Sequence, residues 1–207
     1  MMNWKNWLTP VVFFGLVSWA GAQTPEANWA SSVTAAPLKF TATATKRPAP
    51  APNPGAGSGQ GLPNFAKVTG ILYRSGQPTQ QGVSQLAAKG VKTILKLNAD
   101  DPAEPDWAAA DGITLIPQLM DNHSSPSYAQ VDAALAIIMD STKQPVLVHC
   151  HLGHDRTGAV VAAYQVLYNG KSVADAAAEA KSFGYGAPGF SDITTWLTGY
   201  VAHHAGN

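Results

Sequence analysis

The stretch that most constrains this 207-residue chain is Val146-Leu147-Val148-His149-Cys150-His151-Leu152-Gly153-His154-Asp155-Arg156-Thr157-Gly158, which leads into Ala159-Val160-Val161-Ala162-Ala163-Tyr164. A short apolar run after Pro145 reads as a buried strand, the polar residues that follow as a tight loop, and the second apolar run as a buried helix. Strand, loop and helix in immediate succession call for an α/β fold.

The chain's single cysteine falls where strand becomes loop, and the spacing Cys150-x5-Arg156-Thr157 follows it. Backbone N–H groups of such a loop and of the first helical turn have no intrahelical partners, so they converge on an anion above Cys150. The same setting favours a thiolate over a thiol, as it does for cysteines at helix N-termini generally. Arg156 offers a planar fork of donors that matches two phosphoryl oxygens, which a lysine would not. Thr157 is expected to hydrogen-bond the sulfur and so improve it as a leaving group. A lone cysteine is more often a small buried hydrophobe at a strand end, but Arg156, Thr157 and the surrounding elements together favour nucleophilic chemistry on a phosphate ester.

At these residues, His149-Cys150-x5-Arg156-Thr157 resembles the His-Cys-x5-Arg-Ser/Thr signature of the cysteine-dependent phosphatases of the dual-specificity and tyrosine phosphatase superfamily. Asn64-Phe65-Ala66-Lys67-Val68, Leu72-Tyr73-Arg74-Ser75-Gly76-Gln77-Pro78 and Val91-Lys92-Thr93-Ile94-Leu95-Lys96-Leu97-Asn98 are similar to segments of its compact atypical members in bacteria, plants and fungi. The resemblance implies a nucleophile at Cys150, a phosphate clamp at Arg156 and a loop-orienting histidine at His149. It also implies phosphate held along His151, Leu152, Gly153, His154, Asp155, Arg156 and Thr157, with no cofactor and no metal.

Such enzymes use an aspartate from a separate loop as general acid. Asp121 is the expected one, since it follows the predicted strand Ile113 to Leu119 and opens the loop Asp121-Asn122-His123-Ser124-Ser125-Pro126-Ser127. Asp155 competes for the role, although a carboxylate facing a dianion would repel it, and the ordinary reading has it bracing the loop or a neighbouring helix. His149, Cys150, His151 and His154 raise a metal site, but N–H groups converging on an anion leave poor geometry for a cation. His151 and His154 are better read as adding positive charge when histidines titrate, near pH 6.5. Arg74 is expected as a solvated or structural ion-paired residue ending a strand, with a place near the substrate as the alternative, and His203-His204 as the fraying end of the last helix.

Elsewhere, periodicity predicts strands at Val68 to Arg74, Val91 to Leu97, Ile113 to Leu119 and Pro145 to His149. Helices are predicted at Gln80 to Lys89, Pro105 to Ala110, Tyr128 to Ser141, Thr157 to Tyr168, Val173 to Ser182 and Ser191 to His203. The expected architecture is a central, mainly parallel sheet flanked by helices, resembling the protein-tyrosine-phosphatase fold, with the loop at a carboxyl end of the sheet.

Three segments divide the chain. Residues 1–22, with Lys5, an apolar run from Leu8 to Ala20 and Ala20-Gly21-Ala22, read as a secretory signal peptide. That run is about 13 residues, short of the roughly 20 needed to span a bilayer. Residues 23–62 are Ala/Thr/Pro/Gly-rich and read as a flexible linker, and residues 63–207 as a phosphatase domain. Export is expected, to the periplasm in a bacterium and otherwise to the medium, with no membrane span after cleavage. A formal net charge of zero argues against nucleic acid as a partner. The expected partner is a phosphorylated substrate, either a phosphopeptide or an inositol phosphate or phosphoinositide, met by a monomer. An inactive phosphate-binding module is the reading from another class, and a sulfur-transfer enzyme is disfavoured by Arg156-Thr157.

Overall fold

The computed structural model describes residues 57–205. The expected signal peptide and the greater part of the expected linker lie outside them. The described residues form one six-stranded sheet of β1 (Gly57–Gly59), β2 (Leu62–Lys67), β3 (Leu72–Ser75), β4 (Thr93–Lys96), β5 (Thr114–Pro117) and β6 (Val146–His149), in the order β1-β2-β3-β6-β4-β5. Strands β3, β6, β4 and β5 run parallel, and β2 and β1 extend the sheet antiparallel beyond β3. The mainly parallel sheet of the sequence reading is therefore observed, with β6 at its centre.

Two boundaries differ from expectation. Among the described residues the sheet starts at Gly57, ahead of the Pro63 expected to open the folded unit, because Gly57–Gly59 contributes backbone pairing without an apolar pattern for periodicity to detect. Val68 to Arg74 is a hairpin turn followed by β3, with the Val68 and Thr69 N–H groups donating to the Leu72 carbonyl at 2.9 and 3.1 Å.

Among the described residues, six helices flank the sheet: α1 (Gln80–Ala88), α2 (Glu104–Ala110), α3 (Tyr128–Met139), α4 (Asp155–Leu167), α5 (Val173–Ser182) and α6 (Ile193–Ala205). Their starts follow local chemistry. The Thr79 hydroxyl caps α1, Ser127 and Gln130 form a reciprocal capping box on α3, and Ser172 caps α5. Gly90, at φ +77°, ends the α1 turn in a conformation that glycine adopts without a Cβ clash.

Side chains alternate across the central strand. Val146 and Val148 pack with Leu72, Leu95 and the apolar faces of α3 to α6, whereas Leu147 packs with Ile94, Val83, Leu86, Ala108 and Ile113 beneath α1 and α2. Both faces of β6 are thus covered, which is why its sequence is a continuous apolar run. Helix α4 is buried through Ala159–Ala163, so the element following the loop is wedged in the core. His204, expected to fray, instead ties α6 to α3, its Nε2 lying 3.0 Å from Asp132 Oδ1 beside the Tyr200 hydroxyl that donates to the same oxygen. Among the described residues, no helix is long and apolar enough to cross a membrane.

Candidate active site

The carboxyl ends of β3, β6, β4 and β5 meet where parallel sheets place their ligands. Cys150 follows β6 directly and is 3% exposed. Four residues on, His154 is the N-cap of α4 and makes no side-chain cap. The first N–H groups of α4 consequently have no side-chain acceptor and face the loop, as an anion site requires. The loop rests on the end of β3, where the Gln77 N–H donates to the His151 carbonyl at 2.9 Å. Gly153 has φ +73°, and a Cβ there would lie 2.6 Å from the Gly76 nitrogen and the Ser75 oxygen. Only glycine fits that approach.

A buried polar cluster supports the loop from behind. Glu104, the first residue of α2, is fully buried and lies 2.8 Å from Lys96 Nζ and 3.0 Å from His149 Nε2. Gln77 Nε2 also donates to it at 2.7 Å. Burial pushes the Glu104 carboxyl up, but His149, Lys96 and Gln77 outweigh burial and hold it down at about 2. The cluster continues towards the surface through Asn98, which donates to Gln77 Oε1 and to Asp100 Oδ2. His149 thus has a partner that sequence reading did not supply. The signal was available in Lys96, a lysine within an apolar strand, which demands a buried acceptor.

Arg74 departs from expectation. It is 0% exposed, its Nη2 donates to the Gly153 carbonyl at 2.7 Å, and its guanidinium carbon lies 3.8 Å from the centroid of the Phe183 ring. Asn64, on β2, donates to the same carbonyl at 3.2 Å. The arginine ends a strand but faces inward beneath the loop.

A cleft of about 360 Å³ opens above Cys150, lined by Asp100, Asn122, His151, Leu152, His154, Asp155, Arg156, Ala187 and Phe190 as well. The structure therefore brings together Cys150, Arg156 and four of the loop residues expected to hold phosphate. Arg156 also donates through Nη1 to the Met120 carbonyl at 3.4 Å. His151 Nδ1 lies 3.0 Å from Asp100 Oδ2, a surface pair of small energetic weight. Thr157 is buried and its hydroxyl has no hydrogen-bond partner, so the expected bond to sulfur is not made in this arrangement. Sequence reading missed Ala187, Phe190 and Asp100, which reach the cleft from distant segments that carry no motif.

The two candidate acids separate. Asp155 accepts from the N–H groups of Gly186 and Ala187 at 2.7 and 2.9 Å, so it braces the α5–α6 connection against the loop. Asp121 is not brought into the cleft, although its neighbour Asn122 is. Its carboxylate is exposed and closes its own turn, accepting from His123 N–H and the Ser124 hydroxyl, each at 2.9 Å. Those two bonds hold its carboxyl below the usual carboxylate range. A proton donor needs the opposite shift. Among the described residues, no group of three His, Cys, Asp or Glu is placed to hold a metal ion.

Comparison with known proteins agrees with this geometry. The chain is 38% identical over 104 residues to "Probable tyrosine-protein phosphatase DG1060" of Dictyostelium discoideum, covering 47% of this chain and 63% of that protein. It is 32% identical over 114 residues to the inositol diphosphatase SIW14 of Saccharomyces cerevisiae, covering 51% of this chain and 40% of that protein. These curated relatives are thus spanned over less than two thirds of their own length. The crystal structure of the SIW14 core catalytic domain, a PP-IP phosphatase solved with citrate, superposes with a TM-score of 0.61 at 26% identity, covering 68% of this chain and 87% of that one. The family described as PTP-NADK, a DSP-PTPase phosphatase fused to NAD+ kinase, matches residues 59–194, a span that holds the whole sheet beyond β1, the loop and the cleft, and the chain belongs to that phosphatase family.

Proposed function

We propose that this chain hydrolyses phosphate monoesters through a phosphocysteine intermediate. The observation that carries the proposal is Cys150 at the floor of a cleft between the end of β6 and the uncapped start of α4, with Arg156 in the same cleft. The Cys150 thiolate attacks phosphorus and displaces the alcohol or phenol oxygen. Arg156 and the loop N–H groups hold the non-bridging oxygens as negative charge redistributes over them. Water then attacks the phosphocysteine, releasing inorganic phosphate and restoring the thiolate.

The lining favours aryl phosphates, of which phosphotyrosine is the natural type. Leu152, Phe190 and Ala187 offer apolar surface, Arg156 is the lining's one arginine or lysine, and Asp100 places a carboxylate at the rim. A densely charged inositol phosphate would meet that carboxylate, which His151 faces at 3.0 Å, with Arg156 as the lining's one permanent cation. The second reading, an inositol phosphate or diphosphate substrate, is supported by the similarity to SIW14.

The test is hydrolysis of p-nitrophenyl phosphate in the presence of EDTA by wild type and Cys150→Ser, followed by phosphotyrosine peptides and inositol phosphates as competing substrates. Activity that survives chelation and disappears in the variant is expected. Loss to EDTA would sink the thiolate mechanism, and greater kcat/KM on inositol phosphates would move the substrate assignment to the second reading.

We also propose export, on the composition of residues 1–22. The amino-terminal sequence of the mature protein checks it, with a start at Gln23 expected.

A further inference from the structure

Arg74 raises a question that the phosphocysteine reading leaves open. A guanidinium buried this completely normally meets a carboxylate or several carbonyls. Here Nη2 donates to one carbonyl, that of Gly153, while Nε and Nη1 are buried without a hydrogen-bond partner. The Phe183 ring stacked beneath fixes the plane of the fork. Burial pushes Arg74 down to about 10, a displacement that Glu179 and then Cys150 partly oppose. A cation retained at that cost, against the loop of the nucleophile, calls for a purpose in the loop.

We propose that Arg74 is a positioning residue that sets the anion cradle. A trans peptide points its C=O and its N–H in opposite directions. Pinning the Gly153 carbonyl down onto Arg74 therefore turns the His154 N–H up, to the side on which His154 lines the cleft. Gly153 at φ +73° supplies the backbone conformation, and Asn64, itself at φ +52°, holds the same carbonyl from β2. The buried charge of Arg74 also lies under the negative charges the loop must carry, first the thiolate and then the phosphoryl oxygens. Arg156 grips the substrate from above; Arg74 shapes the site from below without touching it.

This inference rests on the phosphocysteine reading, and its test is arranged to separate the two. Inhibition by inorganic phosphate, kcat and KM for p-nitrophenyl phosphate, and the thermal midpoint are measured for the wild-type chain, Arg74→Met, Arg74→Lys, Asn64→Gly and Ile138→Val. Ile138 belongs to the core at the last turn of α3, which leads into the start of β6, the end of that strand opposite the loop, so its variant reports what loss of stability alone does. Arg74→Met is expected to weaken phosphate inhibition about tenfold, the loss of one charge-assisted hydrogen bond, and kcat/KM about a hundredfold through a misplaced cradle. Arg74→Lys keeps a cation but not the fork and is expected to lie between wild type and Arg74→Met. Asn64→Gly keeps the backbone conformation and loses the second donor, together with the bonds of the same amide to the Phe183 and Leu152 carbonyls at 3.0 and 3.4 Å, with a smaller effect than Arg74→Met in the same direction. Ile138→Val is expected to lower the midpoint and leave phosphate inhibition unchanged.

Wild-type phosphate inhibition in a folded Arg74→Met overturns the proposal. If that variant does not fold, wild-type inhibition in both Arg74→Lys and Asn64→Gly overturns it. Parallel losses in Ile138→Val would reduce Arg74 to a structural residue and overturn it too. A wild-type chain that neither hydrolyses the ester nor binds phosphate would defeat the phosphocysteine reading itself, a result that the variant series cannot produce.

Discussion

Glu104 and Lys96 meet at 2.8 Å with their side chains 0% and 7% exposed, directly behind the strand that ends at the nucleophile. Taking two charges out of water is expensive, and the pair is held because each charge compensates the other and both find further partners. Lys96 also donates to the Asp101 carbonyl at 2.9 Å, and Gln77 donates to Glu104. Glu104→Gln keeps the shape but leaves Lys96 charged and unpaired, so a loss of about 3–5 kcal/mol is expected. Urea unfolding of the two proteins measures it. A loss below about 1 kcal/mol would mean that the pair is no better than a surface one.

The same carboxylate gives a pH dependence whose sign follows from its direction of shift. Glu104 is held down at about 2 from an ordinary 4.5. A group depressed on folding contributes stability that is fully present above the unfolded value and is lost as pH falls through the folded one. The gap in thermal midpoint between wild type and Glu104→Gln is therefore expected to be constant above about pH 5 and to narrow from there towards pH 2. Midpoints measured across that range check it, and a gap that persists unchanged at the acid end would contradict the assignment.

Asp155 is expected to act through the segment it holds. Its Oδ1 receives both Gly186 and Ala187 N–H groups, and Ala187 and Phe190 line the cleft. Asp155→Asn keeps an acceptor oxygen in place, whereas Asp155→Ala leaves two part-buried donors without one. The alanine variant is expected to lose about 1–3 kcal/mol and to raise KM for aryl phosphates, with the asparagine variant close to wild type in both. Equal loss of kcat in the two variants would instead indicate a role for the charge itself.

The fold was largely legible because its signals are local. An apolar strand, a glycine-bearing loop and an apolar helix in succession predict β6 and α4 without reference to any other segment. What could not be read depends on partners far apart in the chain. Arg74 looks solvated because nothing near it in sequence announces Phe183 or Gly153, which come to it from α5's end and the loop. Glu104 reads as an ordinary acid at the start of a helix, where acids are favoured by the dipole; its burial follows only when β4 and β6 bring Lys96 and His149 against it. The β2–β3 hairpin was hidden because β2, with Asn64 at φ +52°, buries no alternating apolar face, and because Val68 and Ile71 in the turn read as continuous with β3.

Asp121 supplies the sharpest test of the chemistry, because expectation and geometry disagree about it. A general acid must hold a proton at the working pH and place it near the leaving oxygen. Asp121 is exposed, its two oxygens are engaged by His123 N–H and the Ser124 hydroxyl, and its carboxyl is held below the ordinary range. The loop that carries it is also tethered: Ser125 accepts from the Ser191 N–H at 2.8 Å, and the Pro126 carbonyl accepts from Trp196 Nε1 at 3.2 Å. With Asp121 outside the cleft, hydrolysis is expected to favour esters whose leaving groups depart well as anions. Wild type is therefore expected to prefer p-nitrophenyl phosphate over phenyl phosphate and to be slowest on alkyl phosphates. Asp121→Asn is expected to change kcat for p-nitrophenyl and phenyl phosphate by the same small factor, about threefold or less, since no proton transfer is removed. If Asp121→Asn slows phenyl phosphate at least about tenfold more than the p-nitrophenyl ester, the loop must rearrange in the complex to present Asp121, and the acid role returns to it.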